Sequence, residues 1–398
     1  MRPWTVLIYA NGQNELAPEL AETFQELKKL SLDSDLTVLI QLGLAPVQVV
    51  QTIRPAGAGE VLRQEGWVGV RRYEIRKGLP PKLHADLGMV NMADPGLLQE
   101  FLIWGMTFRP AQLYMLILAG HSAGFLGALV DYSDTYPSLM PLPELCQALR
   151  AAGRVVGHNI DLLVADLCYL NSIEFIYECG AYGIPVCRAV IMPTLTLPLE
   201  GLPYAPLLQR LSGRLGCGRP ECGCGRPECG CGRLECGTAE AARDLVAVIG
   251  PGMVKKESGI VAIAMDGAVL ERLKHAARPF VMALLNGNDG PPLPDLAQPV
   301  LETAHELVLA AHGDYPLLTI WIPEESRKLA AYLPWYKRLA ICRAADPNPH
   351  HIQPPPARVR VRVPFSLLLA NLAVYNPTLS DDAIENLATS LGWIKKRK

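Results

Sequence analysis

Two residues that could carry out nucleophilic chemistry directly follow apolar runs typical of buried strands. His121 follows residues 113–119 in LILAGHSAG, and Cys168 follows residues 160–165 in DLLVADLCYLNS. If both runs are central strands of one parallel sheet, the two side chains emerge at the same edge of that sheet. A thiol needs a nearby base to become a thiolate at neutral pH, and an imidazole can act as that base and later protonate a leaving amine. The spacing is therefore compatible with covalent catalysis by a cysteine.

The residues around this pair suit the same chemistry. Gly120 and Ser122 are small enough to let a peptide backbone approach, and backbone amides near them could stabilise an oxyanion. Cys168 precedes a predicted helix over 171–179, whose N-terminal dipole would favour the thiolate. Asp166 has two interpretations, as the N-cap of that helix or as a ligand for a basic substrate side chain.

Ordinary structural roles would explain the same two residues. An isolated cysteine at a strand end is often a small buried hydrophobic residue, and a histidine after a strand is often a loop residue with satisfied hydrogen bonds. The spacing alone does not decide between these roles and catalysis.

The elements that must position these residues alternate along the chain. Continuous apolar runs predict strands at 5–9, 36–42, 113–119, 160–165, 186–192, 259–265 and 317–322. Apolar residues at helical spacing predict helices at 17–30, 95–104, 142–151, 171–179, 267–285 and 297–312, with Asp94 capping the second. Fully apolar strands between helices indicate an α/β fold with a mainly parallel central sheet covered on both faces.

Composition excludes some classes of protein. The 398 residues carry a formal net charge of −2, which argues against a nucleic-acid-binding surface. No apolar run approaches the roughly 18 residues that a membrane span needs. The first residues, MRPWTVLIYANG, resemble a strand rather than a signal peptide. The cysteines outside the repeat described next do not suggest a disulfide framework, so we expect a cytoplasmic protein.

Residues 216–237, GCGRPECGCGRPECGCGRLECG, form a tandem repeat that holds six of the eleven cysteines. Its cysteine spacing lacks the Cys-x2-Cys pairs of structural zinc sites. A unit so rich in Gly and Pro predicts a flexible surface insertion. Binding of a soft metal by its Cys-x-Cys steps is the alternative.

No metal site is predicted for the chemistry itself. Asp131 and Asp134 follow His121 in an acidic loop, but calcium requires six to eight oxygen ligands. Calcium is therefore left open as a ligand and is not part of the predicted reaction.

Several separated segments resemble, in order, the clostripain family of cysteine peptidases, which shares the fold of caspases and gingipains. These segments are WTVLIYANGQNEL (4–16), LTVLIQLG (36–43), WVGVRRYEI (67–75), residues 87–121, IDLLVADLCYLNSIEFIYE (160–178) and EGLPY (200–204). The resemblance implies a caspase-like three-layer α/β/α sandwich and endopeptidase activity. It also implies that His121 is the catalytic histidine, Cys168 the nucleophile and Asp166 an acid that helps select a basic P1 residue.

The sequence departs from the family at three places. Ser122 follows the histidine where the family has Gly, and Gln13 stands where the opening turn usually has Asp. Glu200 is the only acid of MPTLTLPLE, where the family has a Ser-Glu pair that helps build the substrate pocket. We assign Glu200 to substrate binding, with a smaller or more apolar pocket as the alternative.

These observations predict a caspase-like core over 1–211, a repeat insertion over 212–238, and a C-terminal α/β portion over 239–398 that completes the core or packs on it. The predicted function is a cysteine endopeptidase that uses a Cys168–His121 dyad and an acyl-enzyme, cleaves peptides or proteins after Arg or Lys, and needs no cofactor. The substrate-binding residues are Asp166, Gly120, Ser122 and Glu200. The alternative is a catalytically silent scaffold that binds a protein partner and carries a metal- or redox-responsive cysteine-rich loop.

Overall fold

The computed structural model describes residues 2–30, 36–55, 59–212, 233–286, 290–323, 326–345 and 361–393. Residues 213–232, which include most of the repeat, lie outside the described residues, so the prediction of a surface insertion stays a prediction for them. The last residues of the repeat, 233–237, were predicted to belong to the same loop, but they form the first residues of a helix over Arg233–Val254.

A nine-stranded sheet organises the described residues, in the spatial order β11-β10-β9-β8-β5-β1-β2-β3-β4. Its strands are β1 (Arg2–Gly12), β2 (Leu36–Leu44), β3 (Gly69–Arg76), β4 (Leu79–Gly88), β5 (Ala111–Ala119), β8 (Leu162–Asp166), β9 (Ala189–Pro193), β10 (Ile260–Ala264) and β11 (Val308–His312). A smaller sheet contains β6 (Ala128–Asp131), β7 (Ser138–Met140) and β12 (Val361–Arg362).

The five central strands, β9-β8-β5-β1-β2, are all parallel, and two antiparallel strands extend the sheet at each edge. Every residue of β2 and of β8 is buried. Such continuous burial is expected of parallel strands that helices cover on both faces. The predicted mainly parallel α/β sheet is confirmed.

The described helices are α1 (Ala17–Lys29), α2 (Val47–Ile53), α3 (Gly59–Glu65), α4 (Pro95–Phe108), α5 (Leu142–Val156), α6 (Ile173–Gly180), α7 (Tyr204–Ser212), α8 (Arg233–Val254), α9 (Gly267–Asn286), α10 (Leu293–His305), α11 (Ser326–Tyr336), α12 (Ala340–Ala345), α13 (Phe365–Tyr375) and α14 (Asp381–Ser390). Among the described residues, each helix is too short or too polar to cross a bilayer.

Alternate residues of the strands enter two separate hydrophobic clusters. Leu7 and Tyr9 of β1 pack with α4 and α5 on one face, whereas Val6 and Ile8 pack with α1 and α8 on the other. This alternation follows from the two-residue period of a strand and produces three layers, helices over sheet over helices. Strands β10 and β11 follow the repeat in sequence, and β10 pairs with β9 while β11 pairs with β10. The division of the chain into three segments stays a prediction.

Two element predictions are wrong beyond the repeat. The predicted helix over 297–312 ends at His305, and its last residues form β11 against β10. The apolar run 317–322 makes only one isolated bridge, Thr319 to Ser172, and otherwise covers the hydrophobic core with Leu318 and Trp321. In both segments, tertiary contacts override the local pattern.

Candidate active site

The adjacent strands β5 and β8 bring the two reactive residues to one edge of the sheet. Ala119 lies opposite Asp166 in their register, and the Gly120 amide donates to the Asp166 carbonyl at 3.3 Å. His121 and Cys168 therefore each lie two residues beyond this pair, at the carboxyl ends of central parallel strands. Both line a cavity of about 120 Å³. The remaining lining comes from the turn before α1, from α1, from the 197–201 segment and from the end of α13.

Cys168 is partly buried at the base of this cavity. The Leu197 amide donates to its Sγ at 3.3 Å, and the Ser122 hydroxyl donates to its backbone carbonyl. Burial raises the pKa of the Cys168 thiol, the Leu197 amide opposes this rise, and the charge of Asp166 adds to it. The described surroundings therefore favour the protonated thiol, and a base must remove its proton before attack.

The predicted role of the following helix is wrong in its details. Helix α6 begins at Ile173, five residues after Cys168, and Ser172 is its N-cap, accepting from the Phe175 amide at 3.2 Å. The helix dipole acts mainly within the first turn, so it contributes little at this distance. Asp166 does not cap the helix.

Asp166 instead lies at the floor of the cavity, with 5% of the residue exposed. Its Oδ1 accepts from the Leu202 amide and its Oδ2 from the Tyr204 hydroxyl, each at 2.8 Å. Burial raises the pKa of Asp166 to about 6, since these two neutral donors offset only part of the cost of desolvation. Leu202 and Tyr204 belong to the EGLPY segment, which thus holds this carboxylate.

His121 also lines the cavity, and it contacts an acidic residue that the sequence analysis did not single out. Oε1 of Glu15 lies 2.9 Å from Nε2 of His121, and the side chain of Glu15 is fully buried. Glu15 follows β1, which pairs with β5, so the turn after β1 lies beside the loop that carries the histidine. An acidic residue just after the neighbouring strand was the signal that could have identified it.

The other predicted substrate-binding residues have different positions. Gly120 has a φ of +145°, and a Cβ there would lie 3.1 Å from the Asn11 carbonyl oxygen. Its amide is engaged with Asp166, so it cannot serve as an oxyanion donor in this arrangement. Ser122 joins the histidine loop to the Cys168 backbone, and Glu200 lies exposed on the cavity rim, 3.1 Å from Lys256 Nζ.

The acidic loop left open for calcium is occupied by internal hydrogen bonds. Asp131 accepts from the amides of Met92 and Ser133, and Asp134 accepts from the Asn91 side chain. Within the described ranges, no group of three or more His, Cys, Asp or Glu residues is arranged to hold a metal ion.

A family model matches the part of the chain that carries this site. Residues 73–215, which include His121 and Cys168, match the model of the clostripain family, peptidase family C11. The resemblance predicted from sequence is confirmed over this range, and the match supports a cysteine-type peptidase. A search of curated proteins finds no match.

Solved structures of C11 proteases resemble this chain and confirm its predicted caspase-like fold. One is an inactive zymogen C11 protease from Parabacteroides distasonis, with a TM-score of 0.58 and 14% identity, covering 86% of this chain and 98% of that one. Another is a secreted C11 cysteine protease from Bacteroides thetaiotaomicron in complex with an irreversible peptide inhibitor, with a TM-score of 0.55 and 16% identity, covering 86% and 99%. A further structure of a secreted C11 protease from that organism, "iotapain", has a TM-score of 0.54 and 13% identity, covering 87% and 99%.

Proposed function

We propose that this chain, whose residues 73–215 match the clostripain family, is an endopeptidase that cleaves after Arg or Lys with Cys168 as its nucleophile and His121 as its base. One observation carries the proposal: both side chains line one cavity at the carboxyl ends of adjacent parallel strands, with a buried carboxylate at its floor. This edge of an α/β sheet is where ligands usually bind.

The chemistry follows from these positions. His121 accepts the thiol proton, and Sγ of Cys168 attacks the carbonyl carbon of the scissile bond, forming a C–S bond and a tetrahedral oxyanion. Collapse of this intermediate breaks the C–N bond, and the imidazolium returns the proton to the leaving amine. Water then hydrolyses the acyl-enzyme with His121 as base, which releases the new carboxylate and restores the thiol.

The preference for a basic P1 residue rests on how the acids of the cavity are paired. Glu19 already forms a bidentate pair with Arg54, at 3.0 and 2.9 Å, and Glu200 pairs with Lys256 on the rim. Asp166 instead accepts hydrogen bonds from neutral donors, so its negative charge is the one that a guanidinium or ammonium group would balance. A charge-assisted contact of this kind is about twice as strong as a neutral one.

Hydrolysis of fluorogenic peptide amides tests the proposal. With thiols reduced, and with and without added calcium, we expect the wild type to turn over Arg and Lys substrates and Cys168→Ala to lose all measurable turnover. Cys342→Ala is the matched control, because Cys342 lies in α12, outside the cavity lining, and this variant should keep the wild-type rate. A wild-type protein that hydrolyses no peptide of any P1 type, and that no peptidyl chloromethylketone labels at Cys168, would refute the function. Location in the cytoplasm stays a prediction from sequence.

A further inference from the structure

Glu15 is a buried acid that neither the dyad nor the substrate-binding assignment uses. It is completely inaccessible to solvent, and its Oε1 lies 2.9 Å from Nε2 of His121. Burial raises the pKa of a carboxyl group, yet the charge of His121 and hydrogen bonds to His121 and Asn371 hold the pKa of Glu15 below its ordinary value. Glu15 therefore carries a negative charge beside the imidazole at neutral pH.

Three segments distant in sequence hold this carboxylate in place. The Asn371 side chain, from α13, donates to Oε1 of Glu15 and also to the Tyr132 hydroxyl, the latter at 2.9 Å. Arg54 donates to the Glu15 backbone carbonyl at 2.9 Å. The carboxylate thus has a fixed position, and a fixed acceptor can orient a ring that would otherwise rotate.

We propose, on the basis of the peptidase function above, that Glu15 is a positioning residue for His121. The negative charge of a carboxylate 2.9 Å from Nε2 favours a proton on that nitrogen, which leaves Nδ1 as the atom that accepts the thiol proton of Cys168. The same charge stabilises the imidazolium formed in that step, while Glu15 itself remains ionised throughout. Because the described surroundings of Cys168 favour the protonated thiol, the reaction depends on this stabilisation.

The other titratable groups near the pair do not supply this negative charge. Burial raises the pKa of Tyr132 and of Tyr375 above the ordinary value, so both remain neutral in the working pH range. Asp166 lies on the Cys168 side of the cavity, where its charge opposes ionisation of the thiol. Arg54 faces the backbone of Glu15 and pairs with Glu19.

The first experiment measures kcat and KM of Glu15→Gln on the best wild-type substrate. Glutamine keeps the shape but removes the charge, and general acid–base catalysis contributes about 10²- to 10⁴-fold, so we expect kcat to fall by about 10²-fold. KM should change less than about threefold, since Glu15 is buried away from substrate. Glu15→Asp restores the charge one methylene further away and should recover part of kcat. Glu22→Gln, an exposed exchange on α1, should match the wild type.

The second experiment does not depend on turnover. Alkylation of Cys168 by iodoacetamide, followed across pH by mass spectrometry of its peptide, reports formation of the thiolate. In Glu15→Gln the rise in alkylation rate should move to higher pH, because the imidazolium that accompanies the thiolate has lost its carboxylate partner. The repeat cysteines in the same digest report any general change in thiol reactivity.

The outcomes separate the two proposals. An inactive wild type whose Cys168 alkylation still shifts to higher pH in Glu15→Gln supports the positioning role and refutes the peptidase function. An active wild type whose Glu15→Gln variant keeps its kcat and its alkylation profile refutes the positioning role. A variant that loses kcat but keeps the alkylation profile, and that Glu15→Asp does not rescue, shows a purely structural role and also refutes the proposal.

Discussion

Replacing Asp166 by asparagine removes one charge from the floor of the cavity and keeps the shape of the side chain. The Leu202 amide still finds an oxygen acceptor, and the Tyr204 hydroxyl can accept from the new amide rather than donate. We expect Asp166→Asn to make the folded protein more stable at pH 8 and to lower kcat/KM for substrates with Arg at P1. The two effects have one cause, which is the buried charge.

The magnitude follows from the pKa of this group. Burial raises the pKa of Asp166 from 3.8 to about 6, which corresponds to about 3 kcal/mol at about 1.4 kcal/mol per pKa unit. For an acid whose pKa is raised by folding, the stabilising contribution is complete below about pH 4 and is lost as the pH rises through 6. Because asparagine does not titrate, the stability advantage of the variant should be near zero at pH 4 and grow to about 3 kcal/mol by pH 8.

Loss of the Asp166 charge should also weaken the selection of Arg substrates. A hydrogen bond to a charged group contributes about 1.5–3 kcal/mol, so kcat/KM for Arg substrates should fall about 10- to 100-fold in Asp166→Asn. Substrates with a neutral P1 residue should change little. The wild type should show the same loss for Arg substrates as the pH falls below about 6, since protonation of Asp166 then removes the charge.

Urea unfolding at pH 4, 6 and 8 and kcat/KM for Arg and neutral substrates at the same pH values measure both effects. Glu200→Gln is the control, because Glu200 lines the same cavity but is exposed and paired with Lys256. The preference of this variant for Arg substrates should change only a few-fold. If Asp166→Asn is no more stable than the wild type at pH 8 and keeps the Arg preference, the assignment of a raised pKa and a P1 role to Asp166 is wrong.

Two further predictions concern a glycine that lines the cavity and a buried acid of α6. Gly201 has a φ of +72°, and a Cβ there would lie 2.8 Å from both carboxylate oxygens of Asp166, so Gly201→Ala should lower kcat/KM for Arg substrates as well as the melting temperature. Gly183→Ala is its control, because Gly183 has a φ of +79° with open space around it, and that variant should lose stability by about 1–2 kcal/mol without losing activity. Burial raises the pKa of Glu178 from 4.5 to about 7, so Glu178→Gln should stabilise the protein by about 3–4 kcal/mol at pH 8 and have little effect at pH 4, measured by urea unfolding.

The sequence predicts the central part of the fold because its signals there are strong and local. Strands such as β5 and β8 are continuous apolar runs, and Asp94 caps α4 by accepting from the Gly96 amide at 2.7 Å, as predicted. Once these strands are taken as parallel neighbours, the shared edge for His121 and Cys168 follows from geometry. Residues 308–312 are predicted wrongly because their sequence continues a helical pattern. They form a strand because they pair with β10.

The sequence marks Glu15 only as an acidic residue after a predicted strand, and it does not give the contacts that define its role, because the partners of Glu15 are distant along the chain. His121 follows it by more than one hundred residues, and Asn371 comes from the C-terminal region that was predicted only to complete the core or pack on it. The contact arises because β1 pairs with β5 and because α13 packs over the turn that follows β1. No local periodicity or spacing encodes that arrangement.

The two buried acids of the site also show why residue type alone does not assign a role. Glu15 follows β1 and Asp166 is the last residue of β8, and both are inaccessible or nearly so. The neighbouring His121 lowers the pKa of Glu15, whereas burial beside neutral donors leaves the pKa of Asp166 raised to about 6. Divergent pKa values within one site usually mark divided functions. Glu15 therefore suits permanent support of an imidazolium, and Asp166 suits a charge that is costly in the empty cavity and that a cationic substrate side chain would balance.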